Sequence, residues 1–385
     1  MNLRSLQPSA LRIPLVAAFR HAAAEHTATR TLWVEARAES GLAGFGEGCP
    51  RDFVTGETLA TACDFVVAHS PARLAAVRDL DTLAAWVERH ARAIDAHPAA
   101  WTAIELALLD LLGKESGRTV ETLLGLPPLA GRFRYTAVLG DAAPDRFDAQ
   151  LERYVYAGFR QFKIKLSGDP ARDGAKVRAL AAAGIAPDCV RADANNLWRG
   201  ARDAIDHLAA LRFPFYALEE PLKPGDGEGM RRVGAALGAR IVLDESLLRF
   251  DQLDRLGDAP ERWLLNLRVS KLGGLLRSLA LVDGARQRGL EVVVGAHVGE
   301  TSLLTRAALT VAHAARGVLH AQEGAFGTHL LAVDVIDPPI MFGPGGLLDA
   351  GSLPRSGQGG FEMTIRDGRY REYMTHLLEE PSHES

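Results

Sequence analysis

The feature that most limits how this chain can fold is a regular beat of short apolar strands between about residues 132 and 325. They read FRYTAV (133–138), QFKIKL (161–166), CVRADA (189–194), FYALEE (215–220), RIVLDE (240–245), WLLNLRV (263–269), LEVVVGAH (290–297) and VLHAQE (318–323). Helix-sized segments rich in Ala, Leu and Arg separate most of them, for example 173–184, 201–212 and 276–289. Strands alternating with helices require a parallel sheet. Near-continuous apolar character means both faces of that sheet are buried. Eight such units close naturally into a (β/α)₈-type barrel. A doubly wound open sheet is the alternative, but no GxGxxG follows an early strand, which weakens a dinucleotide-binding fold.

Most of these strands finish in a charged or polar residue. Strand two carries Lys163 and Lys165, strand three ends in Asp193, strand four in Glu219 and Glu220, and strand five in Asp244 and Glu245. Strand six leads to Arg268, strand seven to His297 and strand eight to Glu323. The groups on strands two to seven recur every 24–29 residues, the length of one βα unit. They therefore gather at one end of the sheet, which in a barrel is the C-terminal mouth, where active sites are built. Taken singly, an acid at a strand end is a loop residue or a helix N-cap. Three at unit spacing bring Asp193, Glu219 and Asp244 to a common rim, where their repulsion calls for a cation. All-oxygen ligands favour Mg²⁺, with Mn²⁺ the alternative. Lys163 and Lys165 are i and i+2 on a strand, so both face the barrel interior. A lysine beside a divalent cation and a second lysine is expected to have its pKa lowered and to serve as a general base. The class of chemistry this implies is removal of an α-proton from a carboxylate substrate, with the enolate held by the cation. His297 reads equally as a structural or a catalytic histidine, and Glu323 as a substrate-facing or a structural acid.

Composition closes off other classes. The 385 residues include 44 Lys plus Arg and 48 Asp plus Glu, a net charge of −4 with no basic block, so no nucleic-acid partner is expected. With 47% hydrophobic and 24% charged residues the chain reads as globular. Three cysteines (Cys49, Cys63, Cys189) without CxxC spacing suit a reducing compartment and point to a cytoplasmic protein. No signal peptide or membrane span is expected.

The ends read differently from the middle. Residues 29–36 are strand-like, residues 41–57 read as a loop, and 57–68, 72–94 and 98–114 as helices, together an α+β module over 1–125. The barrel is placed at 126–325. Residues 326–385 are rich in Gly and Pro, include a strand-like piece at 361–368, and are expected to return to the N-terminal module. The last dozen residues read as a frayed helix or tail.

FKIKL, RADANN, LEEPL, VLDES and the SKLGG run resemble the enolase superfamily, in the branch of mandelate racemase and muconate lactonizing enzymes. The resemblance covers nearly the whole chain. It implies a modified TIM-type (β/α)7β barrel with an N-terminal α+β capping domain completed by the C-terminal segment. It also implies Mg²⁺ on Asp193, Glu219 and Asp244, Lys165 as base and Lys163 as its electrostatic neighbour. Asn195, Glu245 and Lys271 would support the site from behind. Arg20 and His21 lie on one cap segment resembling a specificity loop, Arg51 and Asp52 on the other, and Glu300 follows His297 in GAHVGETS. A small carboxylate substrate and assembly as a homo-oligomer are implied as well.

One departure matters. The branch places a lysine acid/base on strand six, whereas here the run Asn266–Gly274 has Arg268 in that slot. Arginine stays protonated and is a poor proton acceptor. The sequence therefore favours a dehydratase or cycloisomerase over a racemase or epimerase. The alternatives are an epimerase pairing Lys165 with His297, and a barrel that binds metal without catalysis.

Overall fold

The computed structural model describes residues 1–21, 24–69, 71–365 and 368–375, with the side chains of 18–26 and 369 outside that description. An antiparallel sheet near the N-terminus is built from β1 (Leu3–Leu11), β4 (Thr31–Ala38) and β5 (Ala43–Gly48). A hairpin of β2 (Pro14–His21) and β3 (Ala24–Ala28) projects from it. β6 (Arg132–Arg134) leads into the barrel strands. These are β7 (Ala137–Leu139), β8 (Phe162–Lys165), β9 (Val190–Asp193), β10 (Ala217–Glu219), β11 (Arg240–Leu243), β12 (Trp263–Leu267), β13 (Glu291–Val294) and β14 (Leu319–Gln322). All eight lie side by side in chain order. A parallel bridge from Tyr135 to Gln322 joins the two ends, so the sheet closes. β15 (Leu347–Asp349) pairs with β6, and β16 (Met374–Thr375) adds a fourth strand beside β1. The C-terminal segment thus completes the capping sheet, and the protein is a capped, modified TIM-type barrel.

Each barrel strand falls inside the stretch marked by sequence, except that FRYTAV divides between β6, outside the barrel, and β7. Three other expectations are corrected. Residues 72–76 form turns and 77–79 are irregular, and helix occupies only Leu80–Arg89 and Ala91–Ala96. Residues 361–365 form no strand but a single bridge, Ile336 to Ile365, and the returning strand is β16. The supposed loop 41–57 holds β5. The reason is its alternating Gly44, Gly46 and Gly48, which lie against the helix Pro98–Ser116. A Cβ on each would meet the carbonyl oxygen of Ala107, Ala103 and Ala99 at 2.1, 1.9 and 2.0 Å. Two strand residues advance about as far as one helical turn, so a glycine at every second position lets the strand lie on the helix backbone.

That helix is buried all round from Pro98 to Gly113, as its apolar composition requires. Its other side meets the barrel, where Thr102 Oγ1 donates to the carbonyls of Val269 and Ser270. Inside the barrel, Ala217, Val242, Leu264, Val293 and Ala321 form a compact apolar layer. Charged side chains occupy the mouth above it. The cysteines form no disulfide. Among the described residues no helix is long and apolar enough to cross a membrane.

Candidate active site

Strand register assembles the site. Lys165 pairs with Asp193, and Asp193 with Glu219, so the three stand in one row across β8, β9 and β10. Their side chains share the inner face. Asp193, Glu219 and Asp244 are completely buried. Lys163 Nζ lies 3.0 Å from Asp193 Oδ2 and 2.7 Å from Glu219 Oε2. Arg268 contacts Asp244 and lies 3.7 Å from Glu219 Oε1. Glu219 Oε2 and Asp244 Oδ2 are buried and accept no hydrogen bond of good geometry among the described residues. Burial, reinforced by Asp193, holds Glu219 above the usual carboxylate range. Three buried carboxylates on neighbouring strands supply the hard oxygen donors that suit a divalent cation, and in this structure Lys163, Lys165, Arg268 and Lys271 balance their charge.

Several groups aim these carboxylates. Lys271 Nζ donates to Asp244 Oδ1 (2.9 Å) and to the carbonyls of Asp244 (2.6 Å) and Asn266 (2.9 Å). Asn266 Nδ2 donates to Glu219 Oε1 at 3.1 Å. Glu220 accepts from the amides of Asp244 and Ser246 and from Ser246 Oγ, which fixes the turn after β11. Sequence reasoning anticipated Lys271 but assigned no role to Asn266 and Glu220. Asn266 had a legible signal, standing two residues before Arg268 and hence on the same face. Glu220 had none, because it follows Glu219 and reads as its alternative.

The lysines differ in their surroundings. Lys165 Nζ reaches Asp193 Oδ2 (2.5 Å) and Asn195 Oδ1 (2.9 Å). From behind, Lys176, another residue the sequence did not mark, donates to the Lys165 carbonyl (2.7 Å) and to Asp141 and Asp173. Lys163 is held charged by its acidic neighbours. Burial opposes its charge, but Asp193, Glu219 and Glu323 outweigh that and hold its pKa above the usual lysine value. Arg268 is likewise held protonated, against burial, by Asp244, Glu219 and Glu245.

Glu323 meets two cations. Its carboxylate lies 3.0 Å from Lys163 Nζ and 2.7 Å from Arg191 Nη2, and these cations keep it ionised despite burial. The Arg51 guanidinium donates to the carbonyls of Pro50, Arg30 and Val298, so it pins the cap to the loop after β13. Asp52 begins a four-residue helix and is exposed. The side chains of Arg20 and His21 lie outside the described residues.

One cavity of about 1260 Å³ joins these elements. Lys163, Lys165, Asn195, Glu245, Arg268, His297, Glu300 and Glu323 line its barrel end, and Arg51 and Phe53 its cap side. Lys165 ends β8, and His297 lies in the loop just after β13. Three strand steps separate β13 from β8 by way of β14 and β7. Burial raises the Glu245 pKa to about 7, with Asp244 adding to it.

Comparison with known proteins gives the same outline. Residues 5–125 match the family described as mandelate racemase / muconate lactonizing enzyme, N-terminal domain. Residues 146–350 match the one described as enolase C-terminal domain-like. The hydrophobic dipeptide epimerase of Enterococcus faecalis is 27% identical over 339 residues, which is 85% of this chain and 92% of that protein. A hydrophobic dipeptide epimerase of Citrifermentans bemidjiense is 30% identical over 312 residues, 78% of this chain and 83% of that one. Among solved structures, the Enterococcus faecalis dipeptide epimerase complexed with Mg and the dipeptide L-Leu-L-Tyr is similar, with a TM-score of 0.76 and 26% identity. That match covers 94% of this chain and 100% of the other.

Proposed function

The chain belongs to the mandelate racemase / muconate lactonizing enzyme family of the enolase superfamily, and from that premise we propose that it is a Mg²⁺-dependent racemase or epimerase. Its substrate is a small carboxylate with an α-hydrogen, and Lys165 and His297 exchange the proton on opposite faces. The observation that carries this is that both side chains line one cavity, Lys165 at the end of β8 and His297 on the loop after β13, beside the three-carboxylate cluster. Inversion needs an acid/base group on each face of the α-carbon. Arg268 cannot supply the second, but an imidazole can. The relatives support isomerisation over the elimination or ring-forming reaction that Arg268 alone suggests.

Asp193, Glu219 and Asp244 would hold the cation, which when bound supplies electrostatic stabilisation of the negative charge that develops as the α-proton leaves. Lys163, held charged, offers a fixed cation to the substrate carboxylate. Asn195 Oδ1 and Asp193 Oδ2 orient Lys165 Nζ toward one face of the α-carbon, and His297 approaches the other. Arg268 stays protonated and contributes positive charge beside Asp244 without exchanging a proton. Assembly as a homo-oligomer belongs to the same proposal, and light scattering on the purified protein checks it.

Single epimers of dipeptides and N-acyl amino acids, incubated with Mg²⁺ in D₂O and resolved by chiral chromatography, test the reading. Inversion with deuterium at the α-carbon is expected. Lys165→Ala is expected to stop exchange from one epimer and leave it from the other, and His297→Asn to do the reverse. Dehydrated or cyclised products without inversion would refute it.

A further inference from the structure

The loop after β13 carries an arrangement that the reaction outlined above does not by itself require. His297 and Glu300 side chains are only 3% and 6% exposed, and His297 Nδ1 lies 3.3 Å from Glu300 Oε1. The same oxygen accepts the backbone N–H of His297 at 2.7 Å. We infer that Glu300 is a positioning residue that fixes His297 as its Nδ1–H tautomer, so that Nε2 is the atom that exchanges a proton with the substrate. The inference rests on the reading of His297 as the second acid/base.

The geometry supports this in three ways. A carboxylate beside one imidazole nitrogen places the proton on that nitrogen and leaves the other as acceptor. Both side chains line the cavity that also contains Lys165. The loop between them is clamped from outside the barrel. Arg51 Nη2 donates to the Val298 carbonyl at 2.6 Å. Glu47, on β5, accepts from Thr301 Oγ1 at 2.6 Å and from Thr301 N at 3.1 Å. These partners lie about 250 positions away in sequence, so the capping domain sets where the pair stands.

The ionisable groups around the pair are mixed in sign. Cys49 Sγ lies within 4.8 Å of ligand atoms of both His297 and Glu300. Glu47, Arg51 and Arg268 complete the shell. Burial raises the Glu300 pKa to about 7, a rise that the hydrogen bond from the His297 amide and the charges of Arg268 and Arg51 limit.

The test is tautomer assignment by long-range ¹H–¹⁵N NMR on the full-length, ¹⁵N-histidine-labelled protein with Mg²⁺, the His297 signals being identified by their loss in His297→Asn. The expected result is a neutral ring protonated on Nδ1. In Glu300→Gln the ratio of Nδ1–H to Nε2–H should fall about tenfold or more, the size of a lost charge-assisted hydrogen bond. Glu300→Asp should restore it in part. A residue that only closed the turn would leave the tautomer unchanged. An Nε2–H ring in the unmodified protein overturns the inference even if no Glu300 variant folds, and so does an unaltered tautomer in a folded Glu300→Gln. Exchange assays on His297→Asn separate the two levels. If both epimers still exchange, the acid/base reading falls, while the tautomer result stands or falls on its own.

Discussion

Replacing Gly46 by alanine adds one methyl group at the tightest contact between the capping sheet and its helix. The new Cβ would lie 1.9 Å from the Ala103 carbonyl oxygen and 2.7 Å from the Ala107 nitrogen. Ordinary carbon–oxygen contact begins near 3.4 Å, so β5 or the helix must retreat by roughly 1.5 Å. Both atoms belong to backbone, so no rotamer change relieves the clash. Overpacking of this kind costs about 1–3 kcal/mol and occasionally more. The absence of a soft neighbour puts Gly46→Ala at about 3 kcal/mol. For a chain of this size that lowers the melting temperature by roughly 4 °C. Gly227→Ala makes a clean contrast. It opens the helix Gly227–Leu237, where a Cβ meets nothing within 4 Å. There the same methyl should be neutral or stabilise by about 0.4–1 kcal/mol through the unfolded chain. The displacement at Gly46 also carries a functional consequence. Glu47 points to the other side of β5, and a shift of that size breaks its 2.6 Å bond to Thr301. Differential scanning fluorimetry of both variants, with exchange rates alongside, checks the argument. A melting temperature for Gly46→Ala within 1 °C of the parent would refute the steric reasoning.

Two further outcomes are expected. Burial raises the Glu47 pKa from 4.5 to about 8, with the Thr301 hydrogen bonds working against the rise. A folded-state pKa above the unfolded value gives stability that is complete below pH 4.5 and is lost as pH climbs through about 8, on the order of 5 kcal/mol in all. The melting temperature should therefore fall between pH 6 and 9, and Glu47→Gln should flatten that fall; equal slopes in both proteins would contradict it. In calorimetric titration with Mg²⁺, Asp244→Asn should weaken binding by more than tenfold, whereas exposed Asp145→Asn should not, and equal affinities would remove Asp244 from the cation site.

Local pattern made much of this molecule legible. Most of the barrel strands lie where apolar runs end in a charged or polar residue, because a parallel strand buried on both faces needs no long-range information to be recognised. Asp193, Glu219 and Asp244 were readable from the same rule, since unit spacing forces strand ends to one mouth. The strand β5 was not. Its glycines carry the signature of a loop, and their purpose exists only when the backbone of Pro98–Ser116 is beside them. The roles of Glu323 and Arg51 were hidden for a similar reason. Arg191 and Lys163 claim one, and the Val298 carbonyl the other, across separations that no periodicity encodes.

Sequence by itself determined the barrel, the row of acids at its mouth and the lysine pair, because these follow from periods of two residues and of one βα unit. Only the tertiary structure decided how they are tuned. It placed Lys163 among three acids, so that its charge is retained, and it closed a cap on the loop of His297 and Glu300 through Arg51 and Glu47. The physical reason is range. Periodicity fixes which face a side chain takes, while the field and the hydrogen bonds it meets there come from strands and loops that the chain reaches up to about 250 residues later.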